Sequence, residues 1–273
     1  MNPFEYRRPS DVAQAISWLR DDPEAKLLAG GQSLLAAMKL RFAAPTVLID
    51  LQGLPELTAL VTQDGKLWIG AMCTHGQVAA SPLVQRMVPV LAHLAGGIGD
   101  QQVRNRGTIG GSISNADPAA CWPAGLMALN ATIRTDRRDI DADDFFQGLF
   151  TTALEPDEVV CGVLFPIVQQ ACYLKFEQSA SRFALTGVAV ARVAGAVRVA
   201  VTGLGSGIWR WQEAEQALTA RFDAGAIEGM RPDEGIASGD LHASAAYRVH
   251  LASVLTRRAV QHILHLSPET TTS

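Results

Sequence analysis

The stretch RNRGTIGGSISNADPA, residues 104–119, combines two adjacent glycines with hydroxyl side chains, an asparagine and an Asp-Pro pair. Adjacent glycines let backbone amides approach a ligand that a Cβ atom would hold off. Asp117 and Pro118 precede the apolar run AACWPAGLMAL, a pattern that predicts an N-cap followed by proline at the first helical position. A glycine loop that leads into a helix is a place where an anion can bind. An ordinary turn and a capped helix would have the same pattern, so both interpretations stay open.

A second pair of glycines, Gly30 and Gly31, lies in LLAGGQSLL at residues 27–35. The apolar run KLLAG predicts a short strand and SLLAAMKLR predicts a helix, so this pair falls at a strand-to-helix turn. Two such loops could supply many backbone N–H groups to a pyrophosphate without a lysine. The P-loop pattern Gly-x-x-x-x-Gly-Lys-Ser/Thr does not occur in the sequence, which argues against that class of phosphate site.

A third glycine-rich stretch, VAVTGLGSGIW at residues 199–209, imitates a dinucleotide-binding fingerprint. The fingerprint requires a third glycine where this chain has Ile208, and it opens a βαβ unit. This stretch instead comes late, among strands that we expect to be antiparallel. We therefore interpret it as a tight turn that ends a strand.

Composition excludes several classes of protein. The chain has 273 residues, of which 48% are hydrophobic, enough for a large core. A net charge of −4 argues against a nucleic-acid partner. The four cysteines, at positions 73, 121, 161 and 172, lack any C-x-x-C spacing that would indicate a zinc or iron–sulfur site. The opening MNPFEYRRPS lacks the apolar region of a signal peptide, and no apolar run is long enough for a transmembrane segment, so we expect a cytoplasmic protein.

The periodicity of the sequence divides the chain into three units, which we place at residues 1–54, 55–168 and 169–273. In the first, Ser10 is expected to cap a helix with Val12, Ile16 and Leu19 on one face, and TVLID predicts a buried strand. In the second, KLWIGAM, ATIRT and EVVCGVLFP predict strands, Thr74 caps a helix, and residues 83–95 form another helix.

The third unit has a different pattern. ACYLKFEQ, GVAVARV and VRVAVTGLG predict an antiparallel three-stranded sheet, and RWQEAEQALTARF and AAYRVHLASVLTRRAVQHIL predict two helices. In the last helix a stripe of apolar side chains is expected to face the core: Tyr247, Leu251, Val254, Leu255 and Ile263.

No constellation of catalytic residues stands out. The nucleophile pattern Gly-x-Ser-x-Gly does not occur, and the six histidines are dispersed along the sequence. His75, directly after Thr74, is expected to pack at the start of a helix rather than act as a base. We therefore assign no catalytic residue and no metal ligand.

The two glycine loops, with IDLQGLPEL between them and YLKFEQSASRFALTGVAVA after them, resemble the FAD-binding medium subunits of molybdenum hydroxylases. That family includes carbon monoxide dehydrogenase and xanthine dehydrogenase. The resemblance extends over nearly the whole chain and is most specific in AGGQSLLAAMKLR, RNRGTIGGSISNADPA and ASRFALTGVAV. It implies the α+β class: a FAD-binding domain of the p-cresol-methylhydroxylase type, made of two α+β subdomains, and a smaller C-terminal domain.

The resemblance also implies a role for particular residues. The two loops would hold the FAD diphosphate and ribityl chain through backbone N–H groups, Asn115 and Asp117 would bind sugar or ribityl hydroxyls, and Lys175 and Ile98 would lie near the flavin ring. Relatives commonly have a second acid where this chain has Cys121, which puts that one contact in doubt. The residues assigned to FAD are Ala29, Gly30, Gly31, Gln32, Ser33, Leu34, Ile98, Thr108, Ile109, Gly110, Gly111, Asn115, Asp117 and Lys175.

The function implied by the resemblance is electron transfer within a complex. FAD, bound non-covalently because Gln32 stands where covalent relatives have a histidine, would receive electrons from 2Fe–2S clusters and pass them to an external acceptor. A large molybdenum-cofactor subunit and a small 2Fe–2S subunit would be the partners, in a dimer of heterotrimers. Two alternatives stay open: a free-standing flavin oxidoreductase, which needs acid–base residues beside the flavin, and a colourless subunit without flavin.

Overall fold

A three-stranded parallel sheet is formed by the start of the chain in the computed structural model, which describes residues 1–266. The central strand pairs in parallel with both neighbours, so all three strands end at the same edge of the sheet. The elements are β1 (Glu5–Arg7), α1 (Val12–Asp21), β2 (Lys26–Leu28), α2 (Leu34–Lys39) and β3 (Val47–Asp50), with the sheet order β1-β3-β2.

The predicted elements of this unit are confirmed, but the predicted cap of the first helix is wrong. Asp11, not Ser10, is the N-cap of α1, and its side chain accepts a hydrogen bond from the Gln14 backbone N–H at 2.8 Å. A carboxylate next to the N-terminus of a helix is also favoured by the helix dipole, which an uncharged serine does not exploit to the same extent.

The middle of the chain forms a five-stranded antiparallel sheet flanked by helices, with the order β4-β5-β10-β6-β7 and a separate β8-β9 hairpin. Its strands are β4 (Leu60–Gln63), β5 (Lys66–Gly70), β6 (Thr132–Thr135), β7 (Asp139–Asp141), β8 (Phe146–Gly148), β9 (Thr151–Thr152) and β10 (Val160–Phe165). Its helices are α3 (His75–Ala80), α4 (Pro82–Met87), α5 (Pro89–Gly96), α6 (Gln101–Arg106), α7 (Ile109–Asn115), α8 (Cys121–Ala128) and α9 (Ala142–Phe145).

The helix predicted over residues 83–95 is two helices, α4 and α5. Pro89 is the first residue of α5, and Val88 before it has φ −145° and ψ 73°, outside the helical region. Proline has no N–H to donate and disfavours the helical conformation of the preceding residue, so the break falls between residues 87 and 89. The Thr74 cap is confirmed, because Thr74 and Gln77 form a reciprocal capping box at the start of α3.

The end of the chain forms a four-stranded antiparallel sheet covered by a long helix, with the order β11-β12-β13-β14. The elements are β11 (Ala171–Glu177), β12 (Ala184–Val193), β13 (Ala196–Thr202), β14 (Trp209–Arg210), α10 (Gln212–Ala220) and α11 (Ala245–Leu266). The predicted meander is confirmed, with one strand more than expected. β14 pairs only Trp209 and Arg210 with β13, a strand too short to leave a periodic pattern in the sequence.

Two further expectations concern this unit. Gly203 has φ +74° directly after β13, so the third glycine-rich stretch is a strand-ending turn as predicted. The predicted stripe on α11 is only partly right. Leu251, Leu255 and Ile263 are buried, whereas Val254 is half-buried and Tyr247 is 41% exposed.

One apolar core joins the middle and the end of the chain. It includes Trp122 and Phe165 from the middle together with Tyr173 and Ala189 from the last sheet. Every residue of α8 is buried, because this helix lies between the other helices and the strands β12 and β13. Within residues 1–266, no helix is long and apolar enough to cross a membrane. The α+β class predicted from the sequence is confirmed.

Candidate functional site

The first glycine segment, residues 29–34, connects the carboxyl end of β2 to α2. Gly31 has φ +71°, a left-handed conformation that favours glycine. Within residues 1–266, the backbone N–H groups of Gly30, Gly31, Gln32 and Ser33 donate to no protein acceptor. The Gln32 side-chain amide folds back and donates to the Gly30 carbonyl oxygen at 3.2 Å. The segment therefore presents four unpaired donors in succession.

The second glycine segment, residues 108–111, is the first turn of α7 and not an open loop. Thr108 is the N-cap, and its hydroxyl accepts from the Gly111 N–H at 3.1 Å. The Ile109 and Gly110 N–H groups donate to the Cys73 and Ala71 carbonyl oxygens at 3.1 and 2.8 Å. The donors expected to face a ligand here are thus already used inside the protein.

The structure brings the two glycine segments together. A Cβ atom on Gly111 would lie 3.3 Å from the Ala29 Cβ, and a Cβ on Gly30 would overlap the Arg106 carbonyl oxygen and lie 2.7 Å from the Gly107 Cα. Gly30 therefore leaves no room for a side chain beside the backbone of residues 106–107, and Gly111 packs tightly against Ala29. The four unpaired donors of the first glycine segment consequently lie next to the start of α7.

Asn115 and Asp117 follow at the other end of α7. Asn115 is the last helical residue, and Ala116 caps the helix in a left-handed conformation with φ 46°. The Asp117 Oδ1 atom accepts from the Ala119 N–H at 2.8 Å, which makes an Asx turn. The prediction that Asp117 caps the next helix is wrong, because α8 begins at Cys121 and its N-cap is Ala120, without a side-chain cap.

Hydrogen bonds from the end of β13, in the last sheet, hold the turn that contains Asp117. The Thr202 hydroxyl donates to the Pro118 and Ala120 carbonyl oxygens at 2.7 and 2.8 Å, and the Gly203 N–H donates to Pro118 at 2.8 Å. These bonds occupy the Pro118 carbonyl oxygen, which a helix beginning at Asp117 would need as the acceptor for the N–H four residues further on. They explain why the chain runs on for three residues before α8 begins.

Lys175 lies where the last sheet contacts the middle of the chain, beside Gly97, the residue before Ile98. The Lys175 Nζ atom, in β11, donates to the carbonyl oxygens of Gly97 and Arg182 at 2.7 and 2.6 Å. A third partner, the Glu177 carboxylate, lies at 3.3 Å, and the Lys175 side chain is only 9% exposed. The ammonium is therefore held one residue away from the half-buried Ile98.

Cys121 is buried at the first position of α8. Burial raises the pKa of its thiol, and the nearby Lys175 opposes that rise. A neutral thiol is a weak hydrogen-bond partner and carries no charge. It does not reproduce the second acid that the family pattern has at this position.

Sequence reasoning missed a buried pair behind the second glycine segment. The His75 Nδ1 atom accepts a hydrogen bond from the Trp122 Nε1–H at 3.0 Å, and the His75 backbone N–H donates to Gly107 at 2.9 Å. Burial, with a smaller contribution from Arg104, lowers the pKa of His75 to about 4. His75 thus packs at the start of α3 as predicted, but no signal in the sequence joins positions 75 and 122.

Nothing in the described residues forms a second candidate centre. Residues 1–266 contain no group of three or more histidine, cysteine or acidic side chains arranged to hold a metal ion. Burial raises the pKa of the Cys73, Cys161 and Cys172 thiols to about 11, so these thiols are protonated at neutral pH. Protonated thiols are poor nucleophiles.

Comparison with known proteins gives consistent matches over almost the whole chain. The chain is 36% identical to the nicotine 6-hydroxylase medium subunit of Paenarthrobacter nicotinovorans, a match that covers 94% of this chain and 96% of the relative. It is 35% identical to the carbon monoxide dehydrogenase medium chain of Hydrogenophaga pseudoflava, with 94% and 96% covered.

Solved structures agree with these relatives. A chain of the Cu,Mo-CO dehydrogenase crystal structure superimposes with a TM-score of 0.91 at 28% identity, covering 98% of this chain and 100% of that chain. A chain of quinoline 2-oxidoreductase from Pseudomonas putida 86 gives a TM-score of 0.86 at 32% identity, with 96% and 97% covered.

The fold, the paired glycine segments and the relatives together define a flavoprotein subunit of an oxidoreductase. Residues 2–168 match the family described as "FAD binding domain in molybdopterin dehydrogenase", and the chain belongs to that family. It is a FAD-binding medium subunit of the molybdenum hydroxylases, as the sequence resemblance implied.

Proposed function

We propose that this chain holds FAD non-covalently and relays electrons from the 2Fe–2S clusters of a partner subunit to an external acceptor. The observation that carries the proposal is the run of four unpaired backbone donors, Gly30, Gly31, Gln32 and Ser33, beside the start of α7. A diphosphate is an acceptor-only anion, and successive backbone N–H groups in a turn are suited to bind it.

The described residues fit FAD at several points. Gly31 keeps the first glycine segment in a left-handed turn, and Gly111 leaves no side chain between that segment and α7. We assign the diphosphate to the first glycine segment, because the N–H groups of Ile109 and Gly110 are already paired. In the second segment, Thr108 contributes its hydroxyl, and Gly111 contributes the absence of a side chain. In the first segment, Leu34 is the first residue of α2.

In this proposal the other assigned residues bind the sugar or ribityl hydroxyls and the flavin ring of FAD. Asp117 has one carboxylate oxygen left after its Asx turn, and Asn115 lies two residues before it, so these two accept from and donate to sugar or ribityl hydroxyls. Lys175 binds the Gly97 carbonyl oxygen beside Ile98, where β11 contacts the end of α5, and we assign this contact to the flavin ring. When bound, FAD supplies a centre that takes up single electrons and releases pairs.

The remaining assignments concern the assembly. We propose that residues 1–54 and 55–168 are the two FAD-binding subdomains and that residues 169–273 form the C-terminal domain. The partners are a large molybdenum-cofactor subunit and a small 2Fe–2S subunit, arranged as a dimer of heterotrimers in the cytoplasm. The names of the relatives, which are medium subunits or chains, support a multi-subunit complex.

The test is to purify the native complex through a tag on this chain and to identify its subunits and its absorption spectrum. We expect two co-purifying subunits, an iron–sulfur contribution to the spectrum, and yellow colour that acid precipitation releases completely. Flavin retained in the acid pellet would disprove non-covalent binding. A colourless chain that copurifies with neither partner would overturn the proposed function.

A further inference from the structure

Two arginines beside the first glycine segment have no acidic partner in the part of the chain that the structure describes. Arg8 follows β1, and Arg106 is the last residue of α6; both are exposed. Among residues 1–266, neither guanidinium forms an ion pair with a carboxylate, whereas Arg20, Arg137 and Arg198 do. The buried acid at this edge, Asp50, is engaged by the Tyr6 hydroxyl and by the Gln52 N–H.

The two guanidiniums converge on one residue, Gln52. Arg8 Nη2 donates to the Gln52 backbone carbonyl oxygen at 3.1 Å. With its amide oxygen turned towards Arg106, Gln52 accepts from Arg106 Nη1 and Nη2 at 2.8 and 2.7 Å. The hydrogen bond to Asp50 raises the pKa of Tyr6, and both arginines are near enough to oppose that rise. Two positive charges thus share one small area.

This area adjoins the unpaired donors of the first glycine segment. In the parallel sheet Leu28 of β2 lies beside Asp50 of β3, so the first glycine segment and Gln52 leave the sheet at the same edge. Gly30 packs directly against the backbone of Arg106 and Gly107. Ligands of open sheets with parallel strands bind at such carboxyl ends.

We propose that Arg8 and Arg106 form a cationic wall for the diphosphate of FAD and make the site selective for the dinucleotide. The inference rests on the proposed function. It adds full positive charges to the site, because backbone amides supply only partial charges, whereas a diphosphate carries two negative charges. Guanidinium groups bind phosphate oxygens through paired N–H donors and stay charged at every relevant pH. Gln52 keeps the two like charges in place by accepting from both.

The test compares FAD with riboflavin, which has the same ring and no phosphate. The full chain, freed of flavin, is titrated with each compound in the wild-type, Arg8→Gln, Arg106→Gln and doubly substituted forms. Arg86→Gln is the matched control, because Arg86 is an exposed arginine of α4 without an ion pair among the described residues. Melting temperatures verify that each variant is folded, and Arg106→Lys tests rescue by charge alone.

We expect each single substitution to weaken FAD binding about tenfold and the double substitution about a hundredfold, with riboflavin affinity unchanged. The dependence of FAD affinity on salt should flatten in the double variant and persist in Arg86→Gln. FAD affinity equal to wild type in a folded double variant overturns the inference and leaves the proposed function intact. An equal loss for riboflavin overturns it too, since the arginines would then act on the ring or the fold. A wild-type chain that binds neither flavin overturns the proposed function and the inference with it.

Discussion

Gly110 lies in the first turn of α7 and packs against Ala71, the residue directly after β5. A Cβ atom here would be 2.6 Å from the Ala71 Cβ and 2.7 Å from its carbonyl oxygen, closer than real side chains approach. The Gly110 N–H donates to that same carbonyl. This glycine is therefore required by packing between α7 and residue 71, and a ligand is not needed to explain it.

Gly110→Ala should lower the free energy of unfolding by about 1–3 kcal/mol, because an overpacked contact with backbone forces α7 away. Helix propensity alone predicts the opposite, a gain of up to about 1 kcal/mol. Gly96→Ala is the matched control, since Gly96 also lies in a helix and its nearest contact is at 3.8 Å. Urea unfolding of both variants measures the difference, and an unchanged stability of Gly110→Ala would contradict the packing argument.

Asp117→Ala separates the two roles of this carboxylate. The loss of the Asx-turn hydrogen bond to Ala119 should cost about 1 kcal/mol of stability. The loss of an acceptor for a sugar hydroxyl should also weaken FAD binding, about tenfold. Asp117→Asn keeps an oxygen for Ala119 and should retain the stability. Thermal melting and FAD titration are measured in parallel; a stability loss with unchanged FAD affinity would restrict Asp117 to the turn.

At the scale of helices and strands, the sequence predicted most elements because their apolar periodicity is long enough to detect. β12 and α11 are such elements. The errors lie where tertiary contacts decide. Asp117-Pro118 has the pattern of a helix start, yet Thr202 binds the Pro118 and Ala120 carbonyls, so α8 begins only at Cys121.

The two glycine segments of the candidate site could be predicted from the sequence, but the packing contacts between them could not. The sequence marks Gly30 and Gly111, and the structure adds that each fits against the other segment. The pairing of the Ile109 and Gly110 amides with Cys73 and Ala71 has no counterpart in the sequence pattern. Arg8 and Gln52, more than forty residues apart, are joined only by the strand order β1-β3-β2.

Because His75 is buried at the start of α3, the stability of the folded protein should depend on pH. Burial lowers its pKa to about 4 in the folded protein, while the unfolded value is near 6.5. Between these two pH values the unfolded chain binds more protons than the folded protein. The contribution of neutral His75 to the free energy of unfolding is therefore complete above pH 6.5 and is lost as the pH falls towards 4. The loss is on the order of 3 kcal/mol.

The measurement is urea unfolding at several pH values between 7.5 and 4.5. His75→Gln keeps an acceptor for Trp122 and removes the titration, so its stability should fall less steeply with acid than that of the wild type. His93→Gln is the control, because His93 is exposed in α5. Equal acid dependence in His75→Gln and wild type would show that other groups cause the loss.

At the scale of the whole molecule, the site lies where all three parts of the chain touch. The first glycine segment packs on Arg106 and Gly107, and Lys175 reaches from the last sheet to Gly97. The middle and the end of the chain also share one apolar core. Under the proposed function, FAD bound there would contact all three parts of the chain, and its exposed side would face the partner subunits.

The isolated chain loaded with FAD should not oxidise organic substrates. Cys121 lies in α8, Cys161 in β10 and Cys172 in β11, and Cys73 lies between β5 and α3. Burial raises the pKa of each thiol, so none of the four is an activated nucleophile. Under the proposed function, reduction of the flavin depends on electrons delivered by a partner subunit. The chain is mixed anaerobically with aldehydes, purines and N-heterocycles, and the flavin absorbance is followed. We expect no bleaching by any of them and full bleaching by dithionite, which verifies that the flavin can be reduced. Bleaching by a substrate alone would demonstrate a substrate site in this chain and refute the relay function.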